Sequence, residues 1–300
     1  MASLKLKTIT NLNDAKHIWE ILSPKKRIYD DWNFRFSYYK YFKYPLFFYT
    51  LFQNDMPVGL LPLQYNTNLK ILEFFGGNYM EDNNIFTNPD QKSMFYKKYL
   101  LRKFLQMSKY KVILDFMEED IEGFHFQISD YKYELPLENL SSLNDYLTKY
   151  WKRKSRNNLK AQIKKLYNQK LIIRYDNFLD LEYMFELNIK KFGKESTLLF
   201  PHRIDFLKEI VRQFNSHLIT ISINSRKEAV GLSVLYNGIY IGLNSGTNPS
   251  INGLGKFLSL QKIEQAISLG AILYDARAGD LGWKEAFHFV KRPQYKLIIN

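Results

Sequence analysis

Apolar and polar positions along this chain follow one arrangement that occurs twice. Residues 47–65 read FFYTLFQNDMPVGLLPLQY and residues 218–236 read LITISINSRKEAVGLSVLY. Each is an apolar run, a polar turn and a second run, with Val58-Gly59-Leu60 in the first copy and Val230-Gly231-Leu232 in the other. Short apolar runs bounded by turn residues predict strands. In both copies there follow a short strand (72–75; 239–244), a polar loop containing glycine, a helical stretch and an apolar strand ending near Asp115 or Asp275. A repeat this long predicts two related α/β domains and not a solenoid. The junction is expected near residues 130–140, giving domains over 1–135 and 136–300. A cleft between two such domains is the expected active site.

The remaining pattern fills in the flanks. Leu4–Ile9 alternates like a strand. A helix is expected over 14–22, capped by Asn13 and stopped by Ser23-Pro24. Another is expected over the aromatic-rich stretch 32–42. Asn88-Pro89 reads as the cap and first position of a helix running to Met107. Residues 111–116 and 124–135 read as strands and 143–166 as helix, with Leu159, Ile163 and Leu166 forming an apolar stripe. A strand over 171–175 and helices over 179–192, 202–214 and 254–268 follow. A short element at 283–290 and a last strand at 295–299 end the chain.

An apolar share of 46% and aromatics at 16% support sizeable cores. No apolar run approaches the ~20 residues that a membrane helix needs. The N-terminus lacks a signal-peptide pattern. The absence of cysteine excludes disulfides, cysteine zinc sites and thiol nucleophiles, and makes the cytoplasm the default compartment. His17, His125, His202, His217 and His288 fall in no metal-ligand spacing, so no metal is expected. No nucleophile-elbow motif is present. The net charge of +13 favours anionic partners.

Three stretches carry candidate chemistry. Gly253-Leu254-Gly255-Lys256 opens a helix, where free N–H groups and a partial positive charge suit a pyrophosphate. It is neither a Walker motif nor a dinucleotide fingerprint. Asn244, at the end of the preceding strand, borders the same loop. The second stretch runs from Asp275 to Lys284 and gathers two carboxylates, an arginine and a lysine at a strand end. Asp280 can accept a proton from an amine, and Arg277 and Lys284 can hold an anion or a developing oxyanion. The first repeat has an acidic loop in the corresponding place, where Glu81 and Asp82 are expected to face the cleft. The third stretch is the helix carrying Lys152, Arg153 and Arg156, with no acid between Tyr150 and Lys170. It reads either as a solvated face or as a surface for phosphate groups or RNA backbone.

These segments together resemble a known family. The strand pair ending Val58–Leu63, the basic run Tyr150–Leu159, the turn 253–256 and the element Asp275–Lys284 are similar to those of the double-GNAT acyltransferases. Those are the proteins related to the CelD-like group and, more distantly, to Fem-type aminoacyltransferases. Trp283 stands where that element usually has tyrosine, and Ala278 interrupts its Arg-Gly pair. The resemblance implies an α/β (α+β) fold of tandem GNAT-like domains, with mixed central sheets flanked by helices. It implies transfer of an acyl group from acyl-CoA (acetyl-CoA) or an acyl-carrier protein to an amine of a small molecule, sugar or cell-envelope precursor. In that picture Asp280, Lys284 and Asp82 are catalytic. Gly253, Gly255, Lys256, Asn244 and Arg156 bind the donor, and Arg277, Trp283, Asp275 and Glu81 bind the acceptor. Aminoacyl-tRNA is the rival donor, since Fem-type relatives use it. A duplicated module that only grips an anionic polymer or nucleic acid is the alternative to an enzyme.

Overall fold

The computed structural model describes residues 3–89, 92–279 and 282–300. The chain forms, in order, β1 (Leu4–Ile9), α1 (Leu12–Leu22), α2 (Trp32–Phe42), β2 (Leu46–Gln53), β3 (Met56–Asn66), β4 (Ile71–Phe74), β5 (Phe86–Thr87), α3 (Ser93–Met107), β6 (Lys111–Met117) and β7 (Gln127–Pro136). It continues with α4 (Leu143–Tyr150), α5 (Arg153–Tyr167), β8 (Leu171–Tyr175), α6 (Leu181–Phe192), α7 (Pro201–Gln213), β9 (Ser216–Ile223), β10 (Arg226–Tyr236) and β11 (Ile239–Thr247). The last elements are α8 (Leu254–Ser268), β12 (Leu273–Ala278), α9 (Trp283–Ala286) and β13 (Val290–Ile299).

Two compact units result: Met1–Lys132 with Arg292–Asn300, and Tyr133–Lys291. The divisions fall inside β7 and β13. The expected second domain ran to residue 300, whereas the last nine residues join the first unit: Tyr295, Leu297, Ile298 and Ile299 pair with β6.

Within the first unit the strands lie in the order β1-β2-β3-β4-β6-β13. β1 to β4 are antiparallel neighbours, and β4 meets β6 in parallel. The second unit orders its strands β8-β9-β10-β11-β12, again antiparallel until a parallel step from β11 to β12. The β2–β3 and β9–β10 hairpins are the two copies read in the sequence.

Alternation along β2 decides what covers each face of the first sheet. Phe48 points into a cluster with Trp19 of α1, Trp32 of α2, Leu60 of β3 and Phe75. Tyr49 and Leu51 point the other way, toward Leu100, Leu101 and Phe104 of α3. Both faces are therefore buried, which is why β2 reads as a continuous apolar run. In the second unit α8 lies along β9 and β10, with Leu254, Phe257 and Leu258 against Ile219, Ile221 and Ala229.

Several boundaries differ from expectation. The cap of α1 is Asn11, whose Oδ1 accepts the N–H groups of Asn13 (2.9 Å) and Asp14 (3.2 Å). α3 begins at Ser93 and not at Pro89; Phe86–Thr87 first pair with β3, which keeps the chain extended. The helix expected over 143–166 is two helices. Trp151 breaks it by turning its ring edge-on to Phe287 (centroids 5.5 Å) and donating to Tyr146 Oη at 3.2 Å.

Candidate active site

In the second unit β11 and β12 pair in parallel only over their first residues. Ile239, Tyr240 and Ile241 stand opposite Leu273, Tyr274 and Asp275. Beyond them β11 runs on to Thr247 and β12 to Ala278 without pairing to each other. Diverging strands leave backbone N–H and C=O groups for another partner. A bulge lies at the point of divergence. Leu232 faces Asn244 and Ser233 faces Gly242, so Leu243 is skipped in the register. A bulge of this kind re-aims the backbone, and the Leu243 carbonyl accepts from Arg277 Nη1 at 3.4 Å.

Side chains from two helices hold the parted end of β11. Lys262 of α8 is buried, and its Nζ donates to Ser245 Oγ (2.9 Å), Asn244 O (3.2 Å) and Leu232 O (3.3 Å). Burial pushes its pKa down to about 7, because the charged form loses hydration without a carboxylate to replace it. Asn188 of α6 donates to Asn244 Oδ1 (3.0 Å) and to Ser245 O (2.7 Å), while its own Oδ1 accepts from Ser196 Oγ (2.7 Å). Gly246 is what lets α6 lie so close: a Cβ there would stand 2.3 Å from Met184 O. Sequence reasoning singled out none of Lys262, Asn188, Ser196 and Gly246.

The glycine turn stands at the start of α8. Gly253 takes the left-handed conformation (φ +83°) that glycine adopts without cost. Leu254 N donates to Ile251 O (3.3 Å) and Phe257 N to Gly253 O (2.9 Å). The amides of Gly255 and Lys256 have no backbone acceptor among the described residues, and both residues are exposed. Space beside Gly255 is open, with nothing within 4 Å of a Cβ built there. Asn244 lies on the parted strand and Lys256 at the helix start.

The loop after β12 is braced from within. Buried Asp275 accepts the Arg277 N–H at 2.7 Å, and Arg277 turns into the left-handed region at φ +64°. Lys284 is buried and donates to the carbonyls of Arg277 (2.9 Å), Ala278 (2.9 Å) and Gly279 (2.7 Å). Its ammonium also lies 4.8 Å from the centre of the Tyr133 ring. Three donors on three carbonyls make Lys284 the clamp of this loop, in place of the oxyanion contact that its spacing from Asp280 predicted. Asp280 itself lies outside the described residues. Trp283 is half-buried and edge-on to Phe287 and Phe289, with centroids at 5.7 Å for each pair. On α5, Lys152 and Arg153 are exposed and Arg156 half-buried, while Leu159 and Leu166 face inward.

Asp82, in the first unit, does not suit the role of reserve base. It is buried and takes contacts from Lys132, Arg292 and Gln294 (Nε2 at 3.2 Å), with Arg27 at 3.8 Å. Burial alone would raise its pKa, but the surrounding cations hold it down at about 2. A carboxylate so stabilised is a poor proton acceptor. Glu81, 3.7 Å from Lys132, belongs to the same ion-paired group.

Residues 153–285 match the family model of the acetyltransferase (GNAT) domain. The matched stretch lies within the second unit. No curated protein matches the sequence. Solved structures match nearly end to end. FemX aligns at 8% identity over 99% of this chain and 98% of its own, with a TM-score of 0.63. The C-terminal domain of a putative lysylphosphatidylglycerol synthetase from Agrobacterium fabrum aligns at 9% identity, over 96% and 92%, with a TM-score of 0.61. A tandem GNAT protein from the clavulanic acid biosynthesis pathway aligns at 10% identity, over 99% and 98%, with a TM-score of 0.57. Together these give the chain the double-GNAT fold expected from its repeated pattern. The GNAT match takes in the parted strands, the glycine turn, the basic helix α5 and the loop clamped by Lys284. Among the described residues, no helix is long and apolar enough to cross a membrane.

Proposed function

We propose that this protein is an N-acyltransferase that takes its acyl group from acyl-CoA and gives it to an amine. The observation that carries the reading is the parting of β11 and β12, held by Lys262 of a helix whose first-turn amides at Gly255 and Lys256 have no backbone acceptor among the described residues. An extended pantetheine arm would run along the freed edge of β11, as an added strand does. The pyrophosphate would sit on the Gly255 and Lys256 amides, where the helix dipole and the Lys256 charge both favour it. Lys262 and Asn188 would fix the strand that meets the arm. Lys284 would position the loop leading to Asp280.

An amine must lose a proton as it attacks a thioester, and the intermediate carries an oxyanion. Asp280 is the proposed proton acceptor. The bulge at Leu243 turns backbone toward the parting and is the proposed neighbour of the oxyanion.

Gly255→Glu adds a bulky carboxylate where the pyrophosphate is proposed, in space that is open in the folded protein. Calorimetry with acetyl-CoA should show binding to the wild type and none to the variant, with unchanged thermal unfolding. Equal affinity in both proteins refutes the donor site. Asp280→Asn should lower turnover about 10²–10⁴-fold and leave acetyl-CoA affinity in place.

Aminoacyl-tRNA is a second donor reading. The exposed cations at the start of α5 favour it, since they suit a polyphosphate backbone. Neutralising Lys152, Arg153 and Arg156 together should then weaken tRNA binding and flatten its salt dependence. Acetyl-CoA binding unaffected by salt, with no tRNA binding, removes this reading.

A further inference from the structure

A second site lies within the first unit, apart from the residues considered so far. A cavity of about 210 Å³ opens beside β3 and β4, with Glu73 in its lining. Glu73 is 7% exposed and stands directly opposite Gln64 on the neighbouring strand. Gln64 Nε2 and Asn66 Nδ2 both donate to the same carboxylate oxygen, Oε1, at 2.9 and 3.0 Å. The other oxygen, Oε2, accepts nothing among the described residues, and no cation pairs with this carboxylate.

Other buried carboxylates of the unit are satisfied differently: Asp30 accepts the backbone N–H groups of Lys26 and Arg27 at 2.9 Å each. Buried Asp82 is held by Lys132 and Arg292, and Glu81 by Lys132. A buried carboxylate without a cation is costly to keep ionised. Burial accordingly raises the Glu73 pKa, with the two amides opposing it. The oxygens of both amides are engaged. Gln64 Oε1 already accepts from Gly76 N (3.1 Å), and Asn66 Oδ1 accepts from Asn68 N and Leu69 N (3.1 Å each). They orient the carboxylate and leave one oxygen for whatever enters.

Three rings share the remaining lining with Asn68, Leu69, Gly77 and Asn78. Tyr38, Phe42 and Tyr44 line the cavity, and Leu69, 61% exposed, stands at its edge. Aromatic walls with one carboxylate suit an organic cation: the rings attract positive charge and cover its alkyl part, and the carboxylate supplies the ion pair. A cavity of about 210 Å³ has room for roughly seven water-sized groups at ≈ 30 Å³ each, the scale of a small amine.

We propose that this cavity binds the ammonium head of a small organic cation, with Glu73 Oε2 as its ion-pairing partner and Tyr38, Phe42 and Tyr44 as its walls. The site is independent of the acyl-donor reading, because every residue in it belongs to the first unit.

The test is titration of the full chain, by calorimetry and NMR, with ethylammonium, choline and 3,3-dimethylbutan-1-ol, the uncharged counterpart of choline. Binding of either cation in the millimolar range, with none of the alcohol, supports the proposal. Preference between the two cations tells a primary from a quaternary ammonium. Glu73→Gln keeps the oxygen that Gln64 and Asn66 contact and removes the charge; it should weaken cation binding at least about tenfold, as expected for loss of a charge-assisted contact. Leu69→Lys, a change at an exposed position, places a tethered ammonium at the edge and should also weaken binding. It tests the site even if Glu73→Gln folds poorly. Binding of neither cation by the wild type overturns the proposal, as does equal cation binding by the wild type and both variants.

Discussion

Gly59 and Gly231 hold the same place in the repeated hairpin, yet what stands over them differs in kind. A Cβ on Gly59 would meet Leu100 Cδ2 at 3.5 Å, Leu51 Cβ at 3.5 Å and Thr87 Cγ2 at 3.7 Å. A Cβ on Gly231 would stand 2.5 Å from Lys262 Cε and 3.2 Å from its Nζ. The covering helices, α3 and α8, are each 15 residues long. The first sends down a leucine that only packs. The second sends down a lysine whose ammonium holds the carbonyls around the bulge. One scaffold thus serves as plain core in the first unit and as support for the parted strands in the second, where the GNAT model matches. A buried ammonium costs stability that leucine does not. Its presence over Gly231 and absence over Gly59 marks where the hairpin trades stability for geometry.

Exchange across the comparison should have the largest effect. Leu100→Lys puts a charge into an apolar cluster, and should cost about 3–5 kcal/mol, the scale of an uncompensated buried charge. Urea unfolding measures it, and an unchanged midpoint would show that the two copies tolerate charge alike.

Asp82→Asn probes the first unit's own buried lysine. Asparagine tolerates the left-handed backbone at this position (φ +52°) but leaves Lys132 without its main counter-charge, for a loss of about 3 kcal/mol at neutral pH. The Asp82 pKa is lowered on folding, from 3.8 to about 2. Its stabilisation is therefore complete above the unfolded value and disappears as pH falls through the folded one. Wild type and variant should differ most at pH 7 and converge near pH 2. A difference independent of pH would contradict the ion-pair account.

Lys262→Met should change stability at neutral pH by less than about 1.5 kcal/mol, since a chain of similar volume replaces the lysine. Its signature is the pH profile. The lysine pKa falls on folding from 10.5 to about 7. Between those values the unfolded chain holds a proton that the folded protein has released, so this group makes stability rise with pH. The difference between wild type and Lys262→Met should shift in the wild type's favour from pH 7 to 10. A constant difference would mean that Lys262 stays charged throughout. The smallest effect separates the glycines: Gly231→Ala should cost about 1 kcal/mol more than Gly59→Ala, because only the former pushes on a lysine already committed to three acceptors.

The sequence by itself determined the duplicated hairpin, the strand and helix types of most elements, and the glycine turn at 253–256. All of these rest on local rules: period two or 3.6 in apolar positions, and glycine where a left-handed start is needed. It also contained the resemblance that the fold and the family match bear out. The tertiary structure alone decided which polar residues turn inward. Nothing local distinguishes Lys262 from the exposed lysines of α5, or Glu73 from Glu81; burial, and the groups that meet each side chain, come from elements far along the chain. The same holds for Lys284, whose spacing from Asp280 predicted a shared active face but whose Nζ is taken by three carbonyls of its own loop. Asp82 was read as a base from its acidic loop. It is an anchor because Lys132 and Arg292, 50 and 210 residues away, close upon it. Charge in a sequence fixes what a residue can do, and only its distant neighbours fix its pKa and its partners.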